Sequence, residues 1–257
     1  MFLTADYHTH TKFSHGRGTI LENSLMAKQK GLQVIAITDH GFSHPAFGLT
    51  KKKVPVMRRL CSEAEQQTGV KVLLGIESNI LGISGKTDLK SKDYDKFDVF
   101  LAGIHKFIFY DKLREWYLML GREFFVKTFK LKPSNSLIKR NTEIYINTIK
   151  NNPIDILAHP GYGVHANLVE VAKCCRDYGT YFEIDTRKNY LSDEAWQEIA
   201  DTGVEFVVDS DAHTPQNIGV ITNASNIIER VGIPLDKIVN INGKLPKFMR
   251  FNDFKNR

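Results

Sequence analysis

Gln33-Val34-Ile35-Ala36-Ile37-Thr38-Asp39-His40 is the stretch that decides the fold class. Residues 33–38 are almost continuously apolar and rich in β-branched side chains. A strand exposed on one face would alternate apolar with polar, so this run reads as a parallel strand covered on both faces. It ends abruptly in Asp39-His40, a carboxylate and an imidazole at the point where such a strand would leave the sheet.

The same pattern recurs on either side. Short apolar runs occupy residues 3–8, 71–76, 99–104, 154–158, 181–184 and 205–208. Helical patterns lie between most of them. Residues 19–30 stop at Gly31, 54–67 at Gly69, 167–178 at Gly179 and 192–202 at Gly203, each glycine suited to a helix C-terminus. Ser192 reads as a capping-box residue whose third position, Ala195, is weak. Strands alternating with helices imply a parallel sheet with right-handed crossovers. Seven such units predict an α/β fold, a distorted (β/α)7 TIM-like barrel, more than an open sheet. A length of 257 residues fits one such domain, so residues 1–257 read as a single barrel. The exception is residues 107–152, far longer than a usual strand-to-helix connection. Residues 110–130 carry Trp116, Tyr117, Phe124, Phe125 and Phe129 among basic residues, and 140–150 reads as a separate helix. This basic, aromatic stretch reads as an insertion of helices, either a lid or rim beside the site, or ordinary outer-layer helices packing those rings.

Composition narrows the class further. Hydrophobic residues make up 42% and charged residues 25%, values of an ordinary globular chain able to bury a large core. The three cysteines, Cys61, Cys174 and Cys175, form no CxxC pair, so neither a disulfide framework nor a thiolate zinc site is expected. The N-terminus has no signal-peptide pattern and no run approaches a membrane span, so a cytoplasmic protein without membrane partners is expected. The net charge of +6 is uneven: residues 105–150 carry a surplus of six positive charges and 237–257 a surplus of five, leaving −5 on the rest. Either these are solvated basic faces or they attract an anionic substrate.

The chemistry sits after the strands. The first is followed by His8, His10 and His15, the second by His40, the third by Glu77, the fourth by His105, the fifth by His159, and the seventh by Asp211 and His213. Seven of the nine histidines therefore fall at strand ends, which in a parallel barrel converge on the face where active sites form. Residues two apart on a strand share a side, so His8 and His10 can reach one ion if the strand continues that far. Imidazoles and carboxylates without thiolate suit Zn, Mn or Fe with exchangeable positions.

Five motifs in order, Asp6-Tyr7-His8-Thr9-His10, Thr38-Asp39-His40, Gly75-Ile76-Glu77-Ser78, His159-Pro160-Gly161 and Asp209-Ser210-Asp211-Ala212-His213, give the chain a resemblance to the PHP (polymerase and histidinol phosphatase) superfamily over essentially its whole length. The resemblance implies a (β/α)7 barrel with three divalent ions. His8, His10, Glu77 and Asp211 would hold one, Glu77 would bridge to a second held by His105 and His159, and His15, His40 and His213 would hold the third. Polymerase-associated members often lose some of these positions, and the full set argues for a working enzyme. Three divalent ions against two carboxylates leave about +4, a centre suited to a phosphate dianion, with water activated to hydroxide and the phosphoryl oxygens clamped.

Other residues stand open between functional and structural roles. Asp6, Asp39 and Asp209 sit beside ligands and could orient imidazoles, and Asp39 or Asp6 could give the leaving group its proton. Arg187 could grip phosphate bidentately, with Lys188 and Lys106 as further cations. Glu183 and Asp185 could instead serve the core or its hydrogen bonds. The function expected is hydrolysis of a small phosphate monoester, histidinol phosphate being one named candidate. Alternatives are 3′-exonuclease or phosphodiesterase action on nucleic acid, favoured by the basic and aromatic segments, and protein phosphotyrosine hydrolysis. A non-catalytic metal-binding module is the least favoured.

Overall fold

The structure, a computed structural model, describes residues 1–188 and 190–248. Residue 189 and residues 249–257, the end of the basic C-terminal segment, lie outside the described residues.

Seven strands form one parallel sheet in the order of the chain: β1 (Ala5–Thr9), β2 (Val34–Ile37), β3 (Lys71–Asn79), β4 (Val99–Gly103), β5 (Ile156–Leu157), β6 (Tyr181–Asp185) and β7 (Phe206–Asp209). All seven coincide with the apolar runs. The sheet curls back on itself beyond β7. Thr9 bridges Ala212, His10 N–H donates to Ala212 O at 2.8 Å and Ala212 N–H to His8 O at 3.2 Å. The result is a nearly closed, distorted (β/α)7 barrel, as the strand count requires.

Each strand alternates between two cores. Ala5 and Tyr7, Val34 and Ala36, Val99 and Leu101, Ile156, Tyr181 and Val207 pack together inside the barrel. Their neighbours Ile35, Ile37, Leu74, Ile76, Phe100, Phe182, Ile184, Phe206 and Val208 join the core beneath the helices. With both faces buried there is no polar alternation, which is why the runs read as continuous.

The helices are α1 (Ile20–Gln29), α2 (Lys53–Thr68), α3 (Leu113–Trp116), α4 (Arg122–Thr128), α5 (Asn135–Asn151), α6 (Leu168–Tyr178), α7 (Asp193–Ala200) and α8 (Thr222–Val231). The complete capping box is at α1: Thr19 Oγ1 accepts from Glu22 N–H at 3.1 Å while Glu22 Oε2 accepts from Thr19 N–H at 2.7 Å. Ser192 caps α7 through Ala195 N–H, but Ala195 has no carboxylate to return the bond, so no box forms there. No described helix is long and apolar enough to cross a membrane.

Residues between β4 and β5 form α3, a π-helical turn (Tyr117–Gly121), α4 and α5. The helix expected over 140–150 starts earlier, because Ser134 caps it by accepting from Leu137 N–H at 3.3 Å. It buries Leu137, Ile144, Tyr145 and Ile149 as an outer-layer helix. The preceding part behaves differently: Trp116, Tyr117, Phe124, Phe125 and Phe129 are exposed.

Candidate metal centre

Strand ends deliver the donors to one place. Glu77 lies on β3 at the parity of the barrel interior, and imidazoles close around its carboxylate. Its Oε1 is 2.8 Å from His159 Nε2, 3.0 Å from His105 Nε2 and 3.4 Å from His8 Nε2. Its Oε2 is 2.8 Å from His40 Nδ1 and 3.5 Å from His10 Nε2. Asp211 Oδ1 stands 3.1 Å from His10 Nε2, 3.5 Å from His8 Nε2 and 3.4 Å from His213 Nδ1. Strand β1 stops at Thr9, and its register against β2 shifts between Asp6 and Thr9, so simple strand alternation does not bring His8 and His10 together. Their rings meet at 5.1 Å across that irregularity.

Eight of the nine expected ligands fall into four overlapping groups whose donor atoms could share an ion: His10, His40 and His213; His8, His10 and Asp211; His8, Glu77 and His159; His40, Glu77 and His105. The ninth, His15, joins none of them. It lies exposed with its ring stacked on His40 at 4.7 Å and beside His213 at 4.2 Å. The grouping also departs from the expected partition, since His10 rather than His15 accompanies His40 and His213.

The donors fit divalent cations. His8 Nε2, both His10 nitrogens, His40 Nδ1, Glu77 Oε2 and Asp211 Oδ1 are buried without a hydrogen-bond partner. The close His40–Glu77 contact lacks hydrogen-bond geometry. Each such orphan costs about 1–3 kcal/mol, so six would offset much of a domain's stability unless a cation satisfies them. Protonation favours the same conclusion. Burial and the His40 imidazole hold His10 well below the usual histidine range. Burial and Lys188 bring His159 down to about 4, and burial takes His213 to about 4 against the pull of Asp211. Burial would raise Glu77 and Asp211, yet the imidazoles, His105 and His8 foremost, hold both well below the carboxylate range. His8 runs the other way: burial would lower it, yet Glu183 and Glu77 hold it well above the usual histidine range, so it must shed a proton to bind an ion, whereas neutral His10, His159 and His213 and the ionised carboxylates are already in the binding form.

Two candidate ligands occupy left-handed backbone: His159 has φ 31° and Asp211 φ 45°. Non-glycine residues there carry strain of the kind found at functional sites. At His159 the strain is opposed by Glu183, whose Oε2 accepts from His159 N–H at 2.5 Å, while its Oε1 lies 2.7 Å from His8 Nδ1. One carboxylate thus orients the His8 imidazole, leaving His8 Nε2 facing Glu77 and Asp211, and holds the strained backbone of His159. Sequence reading gave Glu183 no such role. The available signal was parity: Tyr181, Glu183 and Asp185 share the interior face of β6, and a carboxylate mid-strand there needs a partner.

For Asp6, Asp39 and Asp209 the sequence leaves an orienting and a structural role open, and their hydrogen bonds are of the structural kind. Asp6 accepts from Ser210 N–H at 3.1 Å, Ser210 Oγ at 2.6 Å and Gly219 N–H at 2.9 Å. Asp39 accepts from Thr11 N–H at 2.8 Å, Thr11 Oγ1 at 2.5 Å and Ser14 Oγ. Asp209 accepts from Tyr7 N–H at 2.7 Å. Their partners are backbone and hydroxyl groups that lock the strand ends. Burial raises the Asp6 and Asp39 carboxyls, but neither lines the cavity above the donors, so the structure does not place them to protonate a leaving group.

That cavity, about 260 Å³, is walled by His15, His40, His105, His159 and His213, with Arg187, Lys188 and Lys106 bringing positive charge. Arg187 Nη1 donates to Asp211 O at 2.9 Å and lies 3.1 Å from Asp211 Oδ2 and 2.5 Å from His213 Nδ1. Lys188 Nζ is 2.6 Å from Asp211 Oδ2. Burial alone would discharge Lys188, yet Asp211 and Asp185 hold it protonated. His44, unassigned from sequence, also lines the cavity, its Nδ1 accepting from Phe47 N–H at 3.0 Å.

A barrel with a histidine–carboxylate cluster at its strand ends is the architecture of a metal-dependent hydrolase. The chain matches the PHP domain over residues 6–218 and belongs to that family. A relative named "Probable phosphatase" from Thermoanaerobacter sp. strain X514 is 31% identical over 267 residues, covering 97% of this chain and 96% of its own. Another of that name, from Shewanella sp. strain ANA-3, is 30% identical over 250 residues, covering 91% and 86%. The protein is a metal-dependent phosphatase, an enzyme of the hydrolase class. In fold it is similar to histidinol phosphate phosphatase from Lactococcus lactis, solved with zinc, L-histidinol and phosphate, with a TM-score of 0.61, 15% identity and coverage of 91% of this chain and 95% of that one.

Proposed function

We propose that the enzyme hydrolyses a small phosphate monoester at a centre of three divalent ions held by His8, His10, His15, His40, Glu77, His105, His159, Asp211 and His213. The observation that carries this reading is the set of buried, unpartnered imidazole and carboxylate atoms directly beneath a cavity rimmed by Arg187, Lys188 and Lys106. Bound divalent ions lower the pKa of water to give a nucleophile near neutral pH and neutralise the charge on a phosphoryl group. The protein supplies the rest. Glu77, touched by five imidazoles, ties the donor groups together. Glu183 fixes the His8 tautomer and the strained His159 backbone. Lys188 and Arg187 face the cavity as cations that hold and orient phosphoryl oxygens. The fold likeness to a phosphatase solved with L-histidinol, phosphate and zinc favours a compact alcohol leaving group, with a histidinol-like phosphate among the substrates to try and zinc among the metals.

The test is phosphate release from a panel of monoesters by protein of measured metal content, beside His159→Ala. The expected outcome is hydrolysis by the wild type and loss of at least a hundredfold in the variant. Metal-loaded wild type that hydrolyses no monoester would overturn the proposal, and so would full activity in His159→Ala.

A further inference from the structure

The segment Leu113–Thr128 is inverted. Its buried side chains include Glu115, Met119 and Glu123, whereas Trp116, Tyr117, Phe124 and Phe125 face solvent. An amphipathic helix normally buries the rings and exposes the acids, and a contiguous exposed apolar patch marks a binding surface. The inversion is held in place. Glu115 Oε2 accepts from Arg140 Nη2 at 2.7 Å and from Ile83 N–H at 3.0 Å. Glu123 Oε1 accepts from Asn141 Nδ2 and from His165 N–H, each at 2.7 Å, and its Oε2 meets His165 Nδ1 at 2.7 Å. These two carboxylates, one in an ion pair with Arg140 and one hydrogen-bonded to Asn141 and His165, pin α3 and α4 to the body of the protein with their rings outward. The π-helical turn between them is a distortion frequent at functional sites.

The rings do not form a flat patch. Phe107, Trp116, Tyr117, Phe124 and Phe125 line a groove of about 640 Å³. That volume falls within the range of small-molecule sites, roughly 300–1,000 Å³. The groove adjoins the metal cavity: Lys106, Phe107, Leu120 and Gly163 wall both. At this shared wall Lys106 Cε and Lys127 Nζ both come within 4 Å of where a side chain on Gly163 would begin, so two lysines sit where the groove meets the metal cavity. A ligand with an anionic head in the metal cavity and a flat, apolar body in the groove matches both compartments in charge and shape.

Resting on the phosphomonoesterase reading, we propose that the aromatic groove is the leaving-group subsite, and that the preferred substrate is a phosphate monoester whose alcohol carries a planar ring system stacked among Trp116, Tyr117 and Phe124. The ring body lies along the aromatic face of the 113–128 helical run, and Lys106 and Lys127 guide the phosphate inward. Selectivity then resides in the segment between β4 and β5 and not in the strand-end donors.

Ethyl phosphate and 2-(1-naphthyl)ethyl phosphate, both primary alkyl esters, separate subsite binding from leaving-group reactivity. With metal-loaded protein the naphthyl ester should be hydrolysed with roughly tenfold higher kcat/KM, the size expected of ring stacking plus burial. In the double variant Trp116→Ala/Phe124→Ala the ratio of the two values should fall to near one. Both side chains are exposed, so the fold does not depend on them. Equal kcat/KM for the two esters in the wild type, or a ratio unchanged in the variant, overturns the subsite while leaving the phosphatase reading intact. Hydrolysis of neither ester, in protein that hydrolyses other members of the monoester panel, also overturns the subsite, whereas failure across the whole panel overturns the phosphatase reading. A single-stranded oligonucleotide that competes with the naphthyl ester and weakens steeply with salt would reassign the groove to nucleic acid.

Discussion

Glu183 is two contacts away from any bound ion and still decides how two ligands present themselves. Its oxygens hold His8 Nδ1 and His159 N–H. Glu183→Gln can keep the bond to His159 N–H only by turning its amide N–H toward His8. That makes His8 Nδ1 an acceptor and moves the ring proton to Nε2, the atom that faces Glu77 and Asp211. Metal affinity should fall about 10- to 100-fold with the circular dichroism spectrum unchanged. Unaltered affinity in a chelator competition would show that Glu183 does not set the tautomer. Gly103, at the end of β4, supplies space in the same place. A Cβ there would lie 2.9 Å from His159 Cε1 and 3.4 Å from Glu77 Oε1. Gly103→Ala should therefore lower the metal content of the purified protein, and full occupancy would contradict the crowding. The donors were legible in the sequence because they close or follow the apolar runs and most are histidines, although the strands themselves take in His8 and Glu77. Glu183 was not, because it is a carboxylate within an apolar run, with no histidine beside it. Only its parity with Tyr181 and Asp185 marks it. For Asp6 and Asp39 the sequence left two roles open, because adjacency in sequence to a ligand does not say on which side a side chain lies; their partners, Ser210 and Gly219 for one and Thr11 and Ser14 for the other, are structural.

At the scale of the element, the strands were easy to read and the caps less so. A strand buried on both faces has no polar residue to blur its limits, so β2 and β7 fall within a residue or two of their apolar runs. Capping depends on a reciprocal pair. Ser192 supplies half of it and Thr19–Glu22 supplies both halves. Thr19→Ala should lower the unfolding free energy by about 1 kcal/mol in urea titrations without altering the m-value. No change would mean that the tertiary packing of Ile20 and Ala27 alone fixes the start of α1. The segment from α3 to α4 reads as helical from its sequence, but not which of its faces is buried, since its rings face outward. That facing follows from the Glu115–Arg140 and Glu123–Asn141–His165 contacts, which link residues 18 to 42 positions apart in sequence.

For the whole molecule, barrel closure and the metal centre are one structural problem. The donors come from the ends of β1, β2, β3, β4, β5 and β7, and the strand ends meet where Thr9 bridges Ala212. Ions that bind only the native state stabilise it by mass action, by about 4 kcal/mol at a thousandfold excess over Kd. For a chain of this size the melting temperature should rise on the order of 10 °C between chelated and metal-loaded protein. Equal melting temperatures would mean that the donors are satisfied without ions.

The central claim is that phosphate-ester hydrolysis runs on ions gathered around Glu77. Stepwise return of a divalent metal to chelated protein, with phosphate release followed against ions bound per chain, tests it most directly. The expected curve starts at no activity and climbs to its maximum at three ions. Full-rate release from the metal-free protein would contradict the account.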